Sequence, residues 1–523
     1  MCWAGAKSWA RTSVRKRLAG WWLLPLGTLS GLGCEHFARG PGAPGASPVE
    51  RSSPTSTASP ASTASPASPA SSVATAAPGA IPDPCRGDAL PSEQHFVANG
   101  LCARVVASKQ GELRQIMFAP NGDLFGVTIP GAIRRYRDVN HDGVFQANEI
   151  VEWANTGNEN GNNCDIDVKA GYLYASTKDG VKRWKYAPEL DHAGAGEDVM
   201  VGQPGGGNHP FHPVHVYDGY LYVDSGSEHN AVKPDPAEYD TERSVVKRFE
   251  MAKFTTGKPF QWKDGEVFVR GVRNVTGFTR NAAGRMLGVL SGIDDLRYAG
   301  ADIHADNPGE ELVSLELGKA YGYPFCFAAA RVVAGGRVVP PGSRLHAAWA
   351  SQNPLASTTE SPKDDAWCAR VERPLTFMQA HSSPLGITFF DGPEGALPAR
   401  FRGGAFIALH GSWDRNPSTG YKVIWVPFDP NGTAPMPTSS AQSTAYPYEV
   451  IFGGGAAGEA RDGAWSWAKG ELGESPVRPV GVAISPVDGA LYVSSDNGTV
   501  PLRRSQNSSA QGNLYRIGQV RPR

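Results

Sequence analysis

The amino-acid sequence predicts an all-β fold, a six-bladed β-propeller of four-stranded blades. A unit made of an alternating apolar strand, a glycine-centred turn and a second apolar strand recurs along the chain. Period-two alternation around Asn-Gly or Asp-Gly is a strong local signal for a β-hairpin. No long amphipathic helical pattern competes with it, and 62 glycines and 42 prolines suit a loop-rich β protein. Six such copies indicate one blade per unit, at residues 116–125, 166–174, 214–223, 277–287, 386–409 and 482–493.

Residues 1–34 are predicted to be an export signal of the lipoprotein type. A basic start is followed by an apolar stretch, 18–32, which Pro25 interrupts and which is too short for a membrane span. The stretch ends in Gly-Leu-Gly-Cys, which resembles a bacterial lipobox in which Cys34 is lipidated. The alternative is an ordinary secretory signal with an incidental Cys34. Both interpretations export the protein, to the periplasm or the cell surface.

Composition divides the rest of the chain into a linker and one large domain. Residues 35–83 are dominated by Ala, Ser, Thr and Pro, so they have little apolar surface to bury and are expected to form a disordered tether. Residues 84–523 are expected to form the propeller. A formal net charge of −1 and a pI near 6.9 provide no long-range field for nucleic acid. We therefore expect no nucleic-acid partner, and membrane contact through the lipid anchor alone.

The cysteines allow two disulfides in the exported domain. Export makes disulfides permissible, and the pairs we favour are Cys85 with Cys102 and Cys326 with Cys368. Cys164 is then left as a buried free thiol. Sequence alone leaves the connectivity open.

A calcium signal lies between the first two predicted blades. Oxygen ligands fall at positions one, three, five and twelve of a twelve-residue loop, with glycine at position six, as in an EF-hand. Strand-like sequence precedes the loop, so we expect a structural calcium that stiffens an inter-blade connection. The alternative is an empty acidic turn. The expected ligands are Asp138, Asn140, Asp142, the main chain of Val144, and Glu149.

Polar residues precede four of the predicted hairpins at equivalent places. They are His209, Arg273 with Asn274, His381 and Arg478. Propellers bind ligands at one end of the central channel, through the loops that join the strands. Any one of these residues alone is more readily explained by structure, but four of them at equivalent places would converge on the axis. A site rich in arginine and histidine suits an anionic planar ligand held by forked hydrogen bonds.

The sequence also resembles a known family. The segments that carry the resemblance are 206–209 (Gly-Gly-Asn-His), 271–274, 320–326, 380–392, 401–416 and 420–423. They are similar to those of the soluble glucose/sorbosone dehydrogenases and the related pyranose dehydrogenases, six-bladed propellers that use pyrroloquinoline quinone and calcium. The resemblance covers about residues 113–517 and is closest to the L-sorbosone dehydrogenase branch.

The resemblance implies roles for individual residues. His209 matches the catalytic base that takes the proton of the substrate hydroxyl as hydride leaves for the quinone, and Arg273 matches the arginine that stabilises the reduced quinone. Calcium on the cofactor is implied near the carbonyls of 305–311, including Asp306, and Glu311 and Tyr321 match positions near a second calcium. Further cofactor contacts are implied at Asn274, His381, His410, Arg415 and Arg478.

Two departures leave the function partly open. The glucose enzyme has an acidic residue before its base, whereas this chain has Asn208, so the group that orients His209 is not identified. Residues 162–164 differ from the histidine-glycine pair of many relatives. We expect oxidation of a sugar or sugar-derived aldehyde, with a cytochrome or the quinone pool as candidate electron acceptors. The alternatives are a lactonase-type hydrolase, which needs carboxylates around a metal, and a non-catalytic lipoprotein that binds carbohydrate or a partner.

Overall fold

Six sheets surround a common channel. The computed structural model describes residues 90, 95–157, 166–210, 212–230, 242–334, 337–347, 364–393, 395–412, 414–415, 419–438, 446–454, 477–496 and 512–520. All of these fall within one compact unit, residues 75–523. The first strands of six sheets of four or five strands line a single cavity, so the prediction of a six-bladed propeller is confirmed. The signal segment with Cys34 and the linker lie outside the described residues.

The first three blades are built from consecutive antiparallel strands. Two strands precede them, β1 (His95–Val97) and β2 (Leu101–Ser108). Blade 1 comprises β3 (Leu113–Phe118), β4 (Leu124–Thr128), β5 (Ala132–Tyr136) and β6 (Ile150–Asn155). Blade 2 comprises β7 (Ile166–Lys169), β8 (Tyr172–Ser176), β9 (Gly180–Lys185) and β10 (Glu197–Val201). Blade 3 comprises β11 (Val214–Tyr217), β12 (Tyr220–Ser225), β13 (Val245–Glu250) and, after β14 (Phe260–Gln261) on the edge of blade 2, β15 (Glu266–Arg270).

Blade 4 carries the hairpins that interrupt the regular repeat. Its strands β16 (Val275–Arg280) and β17 (Met286–Leu290) are followed by the small hairpin β18 (Arg297–Tyr298) and β19 (Ala301–Asp302), and then by β20 (Glu310–Ser314). β21 (Lys319–Ala320) joins the edge of blade 3. An insertion, 321–375, contains β22 (Cys326–Ala328), β23 (Val332–Ala334), β24 (Arg337–Val339), β25 (Arg344–His346) and the short helix α1 (Asp365–Cys368). β26 (Thr376–Met378) completes the blade.

Blades 5 and 6 close the ring with strands from the start of the domain. Blade 5 comprises β27 (Pro384–Phe389), β28 (Ala405–Leu409), β29 (Lys422–Val426) and β30 (Glu449–Gly454), with β1 paired to β30. Blade 6 comprises β31 (Pro479–Ile484), β32 (Leu491–Ser495) and β33 (Asn513–Gln519), and its outer strand is β2. Single 3-10 turns occupy Ala147–Glu149, Met251–Lys253, Trp262–Asp264, His304–Asp306 and Ala399–Phe401.

The turn chemistry read from the sequence explains the hairpins. Between β11 and β12, Asp218 and Gly219 both have positive φ, 47° and 77°. This is the type I′ geometry that matches the right-handed twist of the flanking strands, and Asp-Gly adopts it at low cost. The strands then bury both faces between neighbouring blades, as the fully buried Leu124, Phe125 and Val127 of β4 show. Among the described residues no helix is long and apolar enough to cross a membrane.

The insertion of blade 4 is tied by a disulfide. Cys326 on β22 and Cys368 on α1 are bonded, which confirms that predicted pair. Cys102 is also in a disulfide, while Cys85, its expected partner, and Cys164 lie outside the described residues. Cys326 and Cys368 are both buried beside Val371, so the bond holds the beginning and the end of the insertion together.

Removing this bond should destabilise the domain. The two cysteines are 42 residues apart in sequence. A disulfide that closes such a loop stabilises a protein by about 2–4 kcal/mol, largely by restricting the unfolded chain. We expect Cys326→Ser with Cys368→Ser to lower the free energy of unfolding by about that amount, measured by guanidinium denaturation. Equal stability, together with a non-reducing peptide map that finds both cysteines as thiols, would contradict the prediction.

Candidate functional site

The site residues lie at one rim of the channel. The first and second strands of each blade are antiparallel, so the start of the first and the end of the second share a rim. The rim therefore collects two sets of side chains. Before first strands lie His209, Arg273, Asn274, His381 and Arg478; after second strands lie Ser227, Asp294, His410, Asp414 and Asp496. All of the residues predicted from their place before hairpins belong to this rim.

His209 is held in one orientation by a serine. Its Nδ1 lies 2.8 Å from the hydroxyl oxygen of Ser227 and 3.1 Å from the carbonyl oxygen of the same residue. Gly226 leaves room for this approach, because a Cβ there would lie 2.6 Å from the His209 Cβ. Burial and the nearby Arg273 cation lower the pKa of His209 to about 3. The ring is therefore neutral at physiological pH.

Arg273 and His381 share a carboxylate. Arg273 donates to Asp294 at 2.7 Å and to Asn230 Oδ1 at 2.8 Å. His381 has Nδ1 3.4 Å from Asp294 and Nε2 2.6 Å from the carbonyl of His304. Burial would raise the pKa of Asp294, but Arg273 and His381 hold it at about 2. Burial would lower the pKa of His381, but its carboxylate neighbours raise it above its usual value.

A second charged group lies across the rim. His410 Nε2 is 3.0 Å from both carboxylate oxygens of Asp496, and its Nδ1 is 3.1 Å from an Arg478 nitrogen. Arg114, at the start of blade 1, donates to the same carboxylate at 2.8 Å. Burial and Arg478 lower the pKa of His410 to about 4. Arg114 thus pairs with the Asp496 carboxylate, while Arg478 contacts the carbonyl oxygen and the neutral imidazole of His410. Two arginines beside one carboxylate leave net positive charge.

Asn274 has a buried oxygen that the described residues leave without a hydrogen-bond partner. The Oδ1 atom is shielded from solvent. A Cβ atom on Gly226 would lie only 3.1 Å from it. An unsatisfied buried oxygen costs free energy unless a ligand or water reaches it. It lies next in sequence to Arg273, so it is placed to contact the same ligand.

Three side chains of the rim could hold a metal ion. The ligand atoms of Asp294, His381 and Asp414 all lie within 4.8 Å of one another. Asp414 also accepts from the Asp295 backbone N at 2.9 Å. Two carboxylates suit a hard cation such as calcium. Asp414 was not among the predicted metal ligands, and His381 was predicted as a cofactor contact.

The ligands implied for the two other calcium positions have other partners. Asp306 pairs with Arg415 at 3.2 Å, and Arg415 also donates to the Ala305 carbonyl. Glu311 binds Arg344 through both carboxylate oxygens, and Tyr321 donates to the Ser314 carbonyl. An arginine therefore occupies the place of a cation at Glu311. Because the implied ligands include backbone carbonyls and a tyrosine, calcium binding at these positions stays a prediction.

The EF-hand-like loop joins β5 to β6 within blade 1, so the expectation that it connects two blades is wrong. Asp138 accepts from the backbone N of Asp142 and Gly143, and Glu149 accepts from Val139 and Gln146. Asp142 caps Val144, and Asn140 contacts Asp142. Within the described ranges, the carboxylates of Asp138, Asp142 and Glu149 are not among the side-chain groups close enough together to hold a metal ion. Calcium binding here stays a prediction.

A cavity lies at the opposite end of the channel. Its volume is about 460 Å³, and it is lined by the later residues of the six first strands, including Asp167, His215 and Tyr217. Asp167 accepts from the Val216 backbone N at 2.7 Å. None of the predicted site residues lines this cavity; they converge with their charged partners at the opposite rim.

Of the residues that follow second strands, sequence reasoning predicted His410 and missed Ser227, Asp294, Asp414 and Asp496. These four orient or neutralise residues that were predicted. The signal that could have found them is position, because each lies within five residues of the end of a second strand, as His410 does.

The structure is a six-bladed propeller whose channel rim combines histidine, arginine and carboxylate side chains. The sequence matches the TrAA12-like family over residues 95–500. The chain belongs to that family.

Related proteins and structures agree with this membership. The pyrroloquinoline quinone-dependent pyranose dehydrogenase of Coprinopsis cinerea is 26% identical over 435 residues, 79% of this chain and 54% of that protein. The pyrroloquinoline quinone-dependent sugar dehydrogenase of Hypocrea jecorina is 28% identical over 308 residues, 56% of this chain and 60% of that protein. The chain therefore spans little more than half the length of these relatives. Placement in the L-sorbosone dehydrogenase branch stays a prediction.

Two solved structures share the fold. The holo form of the pyranose dehydrogenase PQQ domain from Coprinopsis cinerea superposes with a TM-score of 0.65 at 23% identity, covering 83% of this chain and 99% of that one. The calcium structure of a Trichoderma reesei AA12 enzyme gives 0.64 at 22% identity, covering 83% and 99%.

Substitutions in the EF-hand-like loop test its calcium. We expect Asp138→Ala with Asp142→Ala to remove most of the calcium-dependent rise in melting temperature, because two oxygen ligands are lost. The matched control, Asp264→Ala with Glu189→Ala, removes the same charge from exposed positions and should keep the rise. An unchanged calcium response in the loop variant would show that the loop is an acidic turn.

Proposed function

We propose that the chain oxidises a sugar or a sugar-derived aldehyde by hydride transfer to pyrroloquinoline quinone, with His209 as the general base. The observation that carries this proposal is the state of His209. Its Nδ1 is held by Ser227, and no described group hydrogen-bonds to Nε2. A neutral ring with an available nitrogen beside Arg273 can accept a proton.

The residues present fit the quinone. Arg114 and His410 share Asp496, with Arg478 bound to His410, and Arg273 and His381 share Asp294. The first group has two arginines for one carboxylate, and Arg273 adds a cation at the second, which suits a ligand with several carboxylates. Asn274 adds an unsatisfied oxygen. The quinone, when bound, supplies the two-electron acceptor.

Calcium also fits the rim. Asp294 and Asp414 offer carboxylate oxygens beside His381, and calcium prefers oxygen ligands. A cation there would neutralise carboxylates that now face Arg273 and His381. It would also polarise an oxygen of a neighbouring ligand without redox chemistry of its own.

The chain's own groups define the proton path. His209 receives the proton of the substrate hydroxyl at Nε2, while Nδ1 keeps its proton toward Ser227. A pKa near 3 keeps the base unprotonated before the reaction. An anion bound beside Arg273 would offset the effect of that cation and raise the pKa of His209, so the ring would become a stronger acceptor when the site is loaded.

A hydrolase remains the second candidate. Sequence reasoning disfavoured it because carboxylates around a metal were not evident, but Asp294 and Asp414 provide them. The two functions differ in what they need. A lactonase would act with calcium alone, whereas the dehydrogenase needs the quinone.

We further propose that the protein is exported and anchored through Cys34, with residues 35–83 as the tether. The support is the basic and apolar start followed by Gly-Leu-Gly-Cys. A mature chain that lacks lipid and stays out of the membrane fraction would contradict the anchor. The substrate class rests on the names of the relatives, and the electron acceptor is left open.

Replacing the base should abolish most turnover and spare cofactor binding. We expect His209→Ala, reconstituted with quinone and calcium, to lose about two to four orders of magnitude in kcat in a dye-linked assay of sugars and aldehydes. The quinone should still bind, because the charged groups that hold it are unchanged. The control His192→Ala alters an exposed histidine and should keep full activity. Near-normal turnover in His209→Ala would reject the assignment.

Removing one carboxylate should weaken calcium binding at the rim. Asp414→Asn keeps an oxygen for the Asp295 backbone N but loses a charge, so calcium affinity of the cofactor-free protein should fall at least about tenfold, measured by titration calorimetry. The measurement is made on the Asp138→Ala, Asp142→Ala background, so that the loop contributes nothing. Asp264→Asn is the matched control. Unaltered affinity would place calcium elsewhere.

A further inference from the structure

The imidazole of His209 has both of its Nδ1 partners on one residue. The carbonyl oxygen of Ser227 is 3.1 Å away and its hydroxyl oxygen is 2.8 Å away. A carbonyl oxygen can only accept. The tautomer of the ring then depends on where the single hydroxyl proton goes.

That proton is directed away from the ring. Ser227 Oγ donates to the carbonyl of His229 at 2.8 Å, so its lone pairs face Nδ1. Tyr323, from the insertion of blade 4, donates to the same carbonyl at 2.9 Å. Both Ser227 atoms are therefore acceptors toward His209, which requires a proton on Nδ1 and leaves Nε2 without one.

Ser227 itself has little freedom. It is fully buried, and its backbone N donates to the carbonyl of Arg273 at 2.8 Å. That bond joins the rim of blade 3 to the residue before blade 4. Tyr323 lies three residues before Cys326 of the disulfide, and its own backbone N donates to Gly271 at 2.9 Å. The segment that contacts His229 is thus tied on both sides.

We propose that Ser227 is a positioning residue that fixes His209 as the Nδ1–H tautomer, and that Tyr323 supports it through the carbonyl of His229. The catalytic role of Ser227 rests on the proposed function, because the Nδ1–H tautomer makes Nε2 the proton acceptor. A neutral serine takes the place where a carboxylate would charge the ring. The base therefore stays neutral at pH values at which a carboxylate-paired histidine would already be protonated.

The tautomer is measured without any activity. Nitrogen-15 NMR of the histidine rings in the cofactor-free full chain distinguishes a protonated from an unprotonated ring nitrogen, and His209→Gln assigns the signals. We expect Nδ1 to be protonated and Nε2 unprotonated in the wild type. In Ser227→Ala only the backbone carbonyl remains as an acceptor, so the second tautomer should become partly populated and the two nitrogens should shift part of the way toward each other. An Nε2–H ring in the wild type, or an unchanged ring in Ser227→Ala, would overturn the proposal.

Kinetics of the reconstituted enzyme give the second readout. Ser227→Ala should lower kcat about tenfold, a part of the effect of a positioned base, with KM changed little. Tyr323→Phe should lower kcat by a smaller factor, about threefold, without changing the fold. Tyr186→Phe is the matched control, because that hydroxyl contacts Asn121 at the far end of blade 1. A KM effect with constant kcat in Ser227→Ala would contradict a role in positioning the base.

The two proposals fail in different ways. An enzyme without quinone-dependent activity but with the expected tautomer and its loss in Ser227→Ala would reject the dehydrogenase and keep the positioning role. Full dehydrogenase activity in Ser227→Ala with a wild-type ring would keep the dehydrogenase and reject the positioning role.

Discussion

The pairing of β2 with β33 is the constraint on which the rest of the structure depends. It runs antiparallel from Leu101 opposite Gln519 to Ser108 opposite Asn513. The pairing joins the start of the domain to its end, and so removes two sheet edges and closes the circle of blades. Blade 6 then lies against blade 1, which brings Arg114 to Asp496. Without closure the two charged groups of the rim would have no common channel to face.

The buried carboxylates of the rim are each paired with more than one neighbouring group. Each carboxylate is shared by two cationic or imidazole groups, so its pKa is held below its usual range despite burial. Each carboxylate in turn offsets the positive potential of the cations beside it. This pairing lowers the cost of burying the arginines, since isolated buried cations would cost too much free energy.

The insertion of blade 4 couples the site to the body of the propeller. Arg344 within the insertion binds Glu311 on blade strand β20. The neighbouring Glu310 on that strand accepts from the backbone N of Gly292 and Ser383, and burial raises the pKa of this carboxyl to about 7. The insertion is thus anchored to the strand that holds the loops carrying Asp294 and His381.

Much of this structure depends on interactions between residues close in sequence, and could therefore be predicted. The hairpin pattern determined the blades, because strand alternation and Asp-Gly turns act over a few residues. The same logic placed His209, Arg273, His381 and Arg478 at one rim, since each precedes a first strand. The partner of His209, the sharing of Asp294 and Asp496, and the pairing of Glu311 with Arg344 are decisions of the tertiary structure. They join residues between 18 and 382 positions apart, and no periodicity in a sequence specifies which of several polar groups will meet when the ring closes.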